Sequence, residues 1–142
     1  MLIPDVNVLV HAWRGNSPDH EVALHWLEEA ASSNVLGLPD QVLAGAVRIL
    51  TMRVRGLGAD VAAVLNETSA LLTSPGVRRI TPGARHWGIF DSLCRELGAT
   101  GNQVPDCYLA ALAIEKQATF VSTDRFFATV PNLDWMDLSA AS

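Results

Sequence analysis

Four aspartates stand where an α/β protein builds its sites: Asp5, Asp40, Asp106 and Asp124. Asp5, Asp40 and Asp124 each come shortly after an apolar run of strand type, and Asp106 falls in the predicted first turn of a helix that contains Pro105. The carboxyl ends of parallel strands meet at one edge of a sheet, so we expect these carboxylates to lie along that edge. The remaining acids mostly fall on helix faces and are predicted to be solvated.

Carboxylates crowded at one edge repel one another, and a divalent cation is the usual way in which proteins relieve that repulsion. Ligands that are all oxygen select hard ions such as Mg²⁺ or Mn²⁺. Such an ion orients a water, lowers its pKa and stabilises a leaving oxygen in phosphoryl transfer. The alternative is that these aspartates are helix caps and surface residues, which is a common role for the residue type.

Short apolar strands alternate with helices along the whole chain. This alternation predicts a single domain, residues 1–142, of the α/β class: a three-layer α/β/α sandwich with a mainly parallel sheet of about four to five strands. We predict a central first strand and edge strands at 77–80 and 133–136. A helix at 84–97 is expected to pack through Trp87, Phe90, Leu93 and Leu97 and to end at Gly98.

The composition indicates a globular protein, with 49% hydrophobic and 18% charged residues among the 142. No membrane span or signal peptide is visible, so a cytoplasmic protein with free thiols at Cys94 and Cys107 is expected. The net charge of −5 argues against a generally basic surface. Arg48, Arg53 and Arg55 form either a local track for phosphates or an ordinary solvated helix end.

Three segments resemble motifs of the PIN-domain ribonucleases. Residues 5–9, Asp-Val-Asn-Val-Leu, resemble the family's opening D-x-[NS]-V-L. Residues 100–106, Thr-Gly-Asn-Gln-Val-Pro-Asp, followed by the apolar run 109–113, resemble the helix that carries its third acid. Ser-Thr-Asp at 122–124 resembles the [ST]-x-D after its fourth strand. The small size is most similar to the VapC toxins of bacterial toxin–antitoxin pairs.

The resemblance implies a Mg²⁺- or Mn²⁺-dependent endoribonuclease that cleaves structured RNA such as tRNA. It also implies a homodimer, a cognate VapB-type antitoxin as partner, and no membrane association. Asp5, Asp106 and Asp124 match the family's acidic positions and are the implied metal ligands and catalytic residues. Asn7 matches a polar residue that supports the first acid.

Two positions depart from the family pattern. The usual glutamate of the helix after strand two should fall near Ala46, and a further acid that often ends the last motif is replaced by Phe126. Asp40 is a candidate fourth catalytic residue that positions a water on the metal, but it is equally a good N-cap for a helix at 41–53.

Two other functions stay open at this point. One is a catalytically weakened PIN-like module that binds RNA or protein. The other is a phosphotransferase with Asp5 as covalent nucleophile, which normally needs a second acid at the place of Asn7 and a well-placed lysine, whereas the only lysine is Lys116.

Overall fold

The computed structural model describes residues 1–54 and 56–141, and it contains one five-stranded sheet. The order is β3-β2-β1-β4-β5, and all four pairings are parallel. The predicted parallel sheet, its central first strand and its two edge strands are therefore confirmed. The strands are β1 (Leu2–Pro4), β2 (Leu36–Pro39), β3 (Val77–Ile80), β4 (Thr119–Ser122) and β5 (Asp134–Asp137).

Helices fill the connections between the strands. The first helix packs against the second and the third, the third packs against the fourth, and the last two pack together. The chain moves outward from β1 to β3 and then crosses back to β4, so right-handed crossovers place these two groups on opposite faces of the sheet, as in a three-layer sandwich. The helices are α1 (Val6–Trp13), α2 (His20–Ser32), α3 (Asp40–Leu50), α4 (Val61–Leu72), α5 (His86–Leu97) and α6 (Gln103–Glu115), with 3-10 helices at Arg125–Thr129 and Leu138–Ala141.

The direction of winding reverses between β1 and β4. At such a switch point the chain leaves neighbouring strands toward opposite faces, and a crevice opens outside their carboxyl ends. Pro4 is paired with Val121 in the sheet, so Asp5 and Ser122 leave the two strands at the same level. The fold therefore brings together two segments that are far apart in the sequence.

Helix α6 is apolar around most of its circumference. Residues that are no more than 5% exposed occupy nearly all of its middle: Cys107, Leu109, Ala110, Ala111, Leu112 and Ala113. A helix that is apolar on every side is held in the interior rather than on the surface. Its first turn, which carries Asp106, is thereby fixed against the sheet.

Some sequence predictions were wrong in detail. Trp87 does not pack in the core but is 66% exposed, because the neighbouring His86 takes the buried position and its Nε2 lies 2.9 Å from the carbonyl oxygen of Tyr108. Helix α3 ends at Leu50, and the predicted track is left with Arg48 on the helix and Arg53 beyond it, while Arg55 lies outside the described residues.

Other details were predicted correctly. Gly98 adopts the left-handed conformation, with φ of 59°, that a C-cap glycine allows. Cys94 and Cys107 are both free thiols. None of the helices in residues 1–54 and 56–141 has the length and apolar character needed to cross a bilayer.

Candidate active site

Asp5 is a buried carboxylate at the end of the central strand, only 6% exposed. It is the N-cap of α1, and its Oδ1 accepts a hydrogen bond of 2.7 Å from the amide of Val6. Its Oδ2 accepts hydrogen bonds from Ser122 Oγ at 2.7 Å and from Asn7 Nδ2 at 3.3 Å. Burial nevertheless raises the pKa of Asp5, and the charge of Asp124 raises it further. Asp5 is thus both a helix cap and a carboxylate whose ionised form a nearby cation would stabilise.

Ser122 joins the ends of β1 and β4 through its hydroxyl. Besides donating to Asp5, its Oγ accepts from the amide of Asp124 at 3.0 Å and from Asn7 Nδ2 at 3.2 Å. Across the same gap, the amide of Thr123 donates to Asn7 Oδ1 at 3.5 Å. No role was predicted for Ser122 from the sequence, although it is the first residue of the [ST]-x-D motif. Its hydroxyl fixes the positions of Asp5 and Asp124 relative to each other.

Asp106 completes a group of three interacting carboxylates. It lies half-buried in the first turn of α6, where burial together with the negative charges of Asp5 and Asp124 raises its pKa to about 6. Asp124 is exposed and caps the following 3-10 helix, accepting a hydrogen bond of 2.9 Å from the amide of Phe126. The structure therefore brings Asp5, Asp106 and Asp124 to one edge of the sheet.

The donor chemistry of this group fits a hydrated hard ion. No three acidic, histidine or cysteine side chains in the described part of the chain form a preformed cage around an ion. Mg²⁺ usually keeps several waters and is held by one or two carboxylates together with substrate phosphate, so a complete protein cage is not required. Burial first, and then the charges of Asp5 and Asp124, raise the pKa of Asp106, and a nearby cation would offset both effects.

Asp40 lies apart from the other three acids in its contacts. It is the first residue of α3, while Pro39 occupies the N-cap position and no side chain caps the helix, so the prediction of a cap at Asp40 was wrong. The helix begins one residue earlier than expected, and the carboxylate instead forms a two-pronged ion pair with Arg79 of β3, with Nη2 at 2.7 and 2.8 Å. Its catalytic role stays a prediction.

A cavity of about 690 Å³ opens beside Asp5 and Asp106. Helix α3 forms one wall and α5 with the start of α6 forms the other. At the family's glutamate position α3 has an alanine, Ala46, which is fully buried. Gly45 and Arg48 of the same helix line the cavity. The lining residues are Asp5, Val6, Gln41, Gly45, Arg48, Ile49, Phe90, Asn102, Val104, Pro105, Asp106, Tyr108 and Leu109.

In a parallel sheet, aspartates that meet at the switch point beside a cleft form an arrangement suited to metal-assisted hydrolysis. The PIN domain family model matches residues 2–133, and the chain belongs to this family. It is similar to Ribonuclease VapC43 of Mycobacterium tuberculosis, with 42% identity over 137 residues that cover 95% of this chain and 93% of that protein.

A second relative agrees with this assignment, and a solved structure shares the fold. Ribonuclease VapC25 of the same organism is 34% identical over 133 residues, which cover 90% of this chain and 92% of that protein. The crystal structure of VapBC2 from Rickettsia felis bound to a promoter DNA fragment contains a chain that shares the fold. Its TM-score is 0.71 at 22% identity, and the match covers 95% of this chain and 96% of that one.

Proposed function

We propose that the protein is a Mg²⁺- or Mn²⁺-dependent endoribonuclease of the VapC type. The observation that carries this proposal is the group Asp5, Asp106 and Asp124 beside an open cleft, in which burial and neighbouring negative charge raise the pKa of Asp5 and of Asp106. Relatives that cover nearly the whole chain bear the name ribonuclease, which supports RNA as the substrate.

Asp5 and Asp106 are the proposed principal ligands, with Asp124 at the outer side of the site. When bound, the ion would lower the pKa of a water and stabilise the leaving oxygen of the phosphodiester. The network of Ser122 and Asn7 holds the Asp5 carboxylate in one orientation, so that little reorganisation accompanies the reaction. Without a metal ion the pKa of Asp106 is about 6, so a cation that binds its ionised form competes with a proton below that pH.

The structure disfavours Asp5 as a covalent nucleophile. A carboxylate nucleophile of this kind normally works with a second acid at the place of Asn7 and a nearby lysine. Here Asn7 Nδ2 donates to Asp5 Oδ2 at 3.3 Å, and Lys116 is paired with Glu115 at 3.7 Å. These partners suit Asp5 better for holding a cation than for attacking phosphorus.

The biological setting is part of the same proposal. We infer a toxin that acts in the cytoplasm, forms a homodimer and is held by a VapB-type antitoxin. Support comes from the relatives' names and from VapBC complexes among the structural neighbours. Structured RNA such as tRNA is the proposed substrate, and Arg48 beside the acids supplies a cation for its phosphates.

One observation favours a second function, a PIN-like module with weakened catalysis that binds RNA or protein. Ala46 is fully buried where the family commonly has a glutamate, so the middle of α3 contributes no carboxylate, and Asp40 at its start is paired with Arg79. With fewer acids, an ion would be held less tightly. The two functions differ in whether RNA is cut.

The experiment that separates them is sequencing of RNA 5′ ends after brief expression of the protein in a bacterial host. Wild type is expected to create new 5′ ends at a small set of positions, and Asp5→Asn at none, because an amide is a poor ligand for a hard cation. Glu29→Gln, an exposed acid on α2, is the matched control and should cut like wild type. Identical 5′ ends in wild type and Asp5→Asn would contradict the proposal.

A further inference from the structure

The cavity beside the acids has aromatic walls. Phe90 of α5 and Tyr108 of α6 both line it, with ring centroids 5.6 Å apart and ring planes inclined by 71°. The exposed ring of Trp87 extends this surface, 5.1 Å from Phe90. At about 690 Å³ the cavity is of the size that holds small molecules, and a single nucleotide fits that range.

Arg48 faces the same cavity from the opposite wall and is exposed. Among residues 1–54 and 56–141, no ion pair or hydrogen bond occupies its guanidinium. By contrast, Arg79 is paired with Asp40 and Arg95 with Asp91, each at 2.7 Å. A guanidinium without a protein partner is available to bind phosphate, whose oxygens match its planar set of N–H donors.

Polar groups at the rim complete the cavity. Gln41 of α3 donates a hydrogen bond of 3.3 Å to the hydroxyl of Tyr108, which ties the two walls together at one end. Asn102 also lines the cavity, just before α6. Carboxamides of this kind can donate to and accept from the edges of a nucleobase. The cavity thus combines aromatic rings for stacking, a cation, and carboxamides that can form hydrogen bonds with a base.

We propose that this cavity binds the nucleotide adjacent to the scissile phosphate, with its base against Phe90 and Tyr108 and its phosphate on Arg48. The inference rests on the proposed ribonuclease function and deepens it by locating a subsite for RNA. Unpaired bases stack on aromatic side chains when proteins recognise single-stranded RNA. Such a subsite places the next phosphodiester at Asp5 and Asp106, which lie at the inner side of the cavity.

Arg48→Gln and Phe90→Leu test the two halves of this subsite separately. The probe is a fluorescein-labelled octanucleotide RNA of random sequence, and binding is followed by fluorescence anisotropy in EDTA so that the RNA stays intact. Arg48→Gln should weaken binding severalfold and reduce the slope of log affinity against log salt by about 0.7, the loss of one phosphate contact. Phe90→Leu should weaken binding about tenfold through lost stacking, with the slope unchanged.

Matched controls separate the cavity from general effects. Arg78→Gln removes the same charge from the exposed face of β3, and Trp26→Leu removes an aromatic ring from α2; neither residue lines the cavity. Both are expected to bind RNA like wild type. A loss of folding in Phe90→Leu would show as a lowered melting temperature, and the salt slope of Arg48→Gln then still decides the matter, because that residue is on the surface.

The outcomes also distinguish this inference from the proposed function. If wild type cuts RNA but Arg48→Gln and Phe90→Leu bind it unchanged, the subsite is wrong while the ribonuclease stands. Unchanged RNA binding together with loss of a copurifying antitoxin from both variants would assign the cavity to a protein segment and overturn the inference. If wild type neither binds nor cuts RNA, both proposals fall.

Discussion

The hydroxyl of Ser122 donates a hydrogen bond of 2.7 Å to Oδ2 of Asp5, joining residues that are 117 positions apart in the sequence. The bond spans the two central strands at the point where the winding of the fold reverses. Without it, Asp5 would keep its local bond to Val6 but lose a strong donor to its second oxygen. The orientation of the first acid therefore depends on a contact that only the folded sheet provides.

Ser122→Ala should impair both stability and cleavage. The change removes a buried donor to a carboxylate and an acceptor for the amide of Asp124, at a cost of about 1–3 kcal/mol. Losing the hydrogen bond also raises the pKa of Asp5 further, which weakens a metal site. Urea unfolding and a cleavage assay on the same samples measure both effects. Ser32→Ala, which changes an exposed serine on α2, is the control. Equal stability and equal cleavage rates in the two variants would contradict a specific role for the Ser122 hydroxyl.

Stability in EDTA should depend on pH through Asp106. Its pKa rises from an ordinary value of 3.8 to about 6 in the folded protein, so ionisation opposes folding. The stabilising contribution of the neutral acid is full below 3.8 and is lost as the pH rises through 6. Between pH 5 and pH 7, wild type should lose up to about 1 kcal/mol relative to Asp106→Asn, after allowance for the half-exposed position. A gap between the two proteins that does not change with pH would contradict this cause.

Added Mg²⁺ should reverse that trend. An ion held by Asp5 and Asp106 favours their ionised forms, so protein in excess Mg²⁺ should be more stable than protein in EDTA at pH 7.5 and much less so at pH 5. Thermal unfolding at the two pH values, with and without the ion, measures this. Asp106→Asn should show little response, and an equal response from that variant would place the ion elsewhere.

Asp40 should behave as half of a surface ion pair. Asp40→Asn, Asp40→Ala and Arg79→Gln are each expected to change the free energy of unfolding very little, because solvent screens an exposed ion pair. No additional loss of a cap is expected for alanine, because Pro39 holds that position. If Asp40 also positions a water for the reaction, Asp40→Asn reduces cleavage, though less than Asp5→Asn does. Cleavage by Asp40→Asn at the wild-type rate would remove it from the site.

The protein is expected to be a symmetric homodimer in the absence of its antitoxin. Isologous dimers are the commonest assembly, and large apolar side chains on the surface, such as Val54, Val61 and Leu65, are 47–51% exposed. Light scattering should give about twice the chain mass of 15.3 kDa at micromolar concentration. A single species at the chain mass would contradict this expectation.

The sequence allowed the strands and most helices to be predicted because their signals are local. Strand β3 has the predicted bounds of 77–80, since the turn residues at 74–76 and 81–83 define both of its ends without tertiary contacts. Helix α5 shows the limit of such signals. Two neighbouring large side chains, His86 and Trp87, compete for the buried face, and a bond to the carbonyl of Tyr108 decides the outcome.

The candidate site was predictable only in its acids. Strand ends and motif spacing identified Asp5, Asp106 and Asp124, whereas the partner of Asp40 lies 39 residues away on an edge strand. The cavity could not be foreseen either, because Phe90 and Tyr108 meet across two helices. Arg48 was noticed as a cation, but only the folded structure shows that it lines the same cavity as Asp5 and Asp106, whereas Ala46 is buried.

The most direct test of the account is cleavage of a labelled RNA by the purified protein as Mg²⁺ is titrated at pH 7.5. We predict that cleavage by wild type rises with Mg²⁺, stops in excess EDTA and returns when Mn²⁺ is added. Asp106→Asn, which keeps the shape of the side chain but removes its charge, should fold and lose at least a hundredfold in rate, on the order of what the loss of a key electrostatic group costs. Wild-type cleavage that persists in excess EDTA, or that Asp106→Asn retains, would contradict the metal-dependent ribonuclease proposed here.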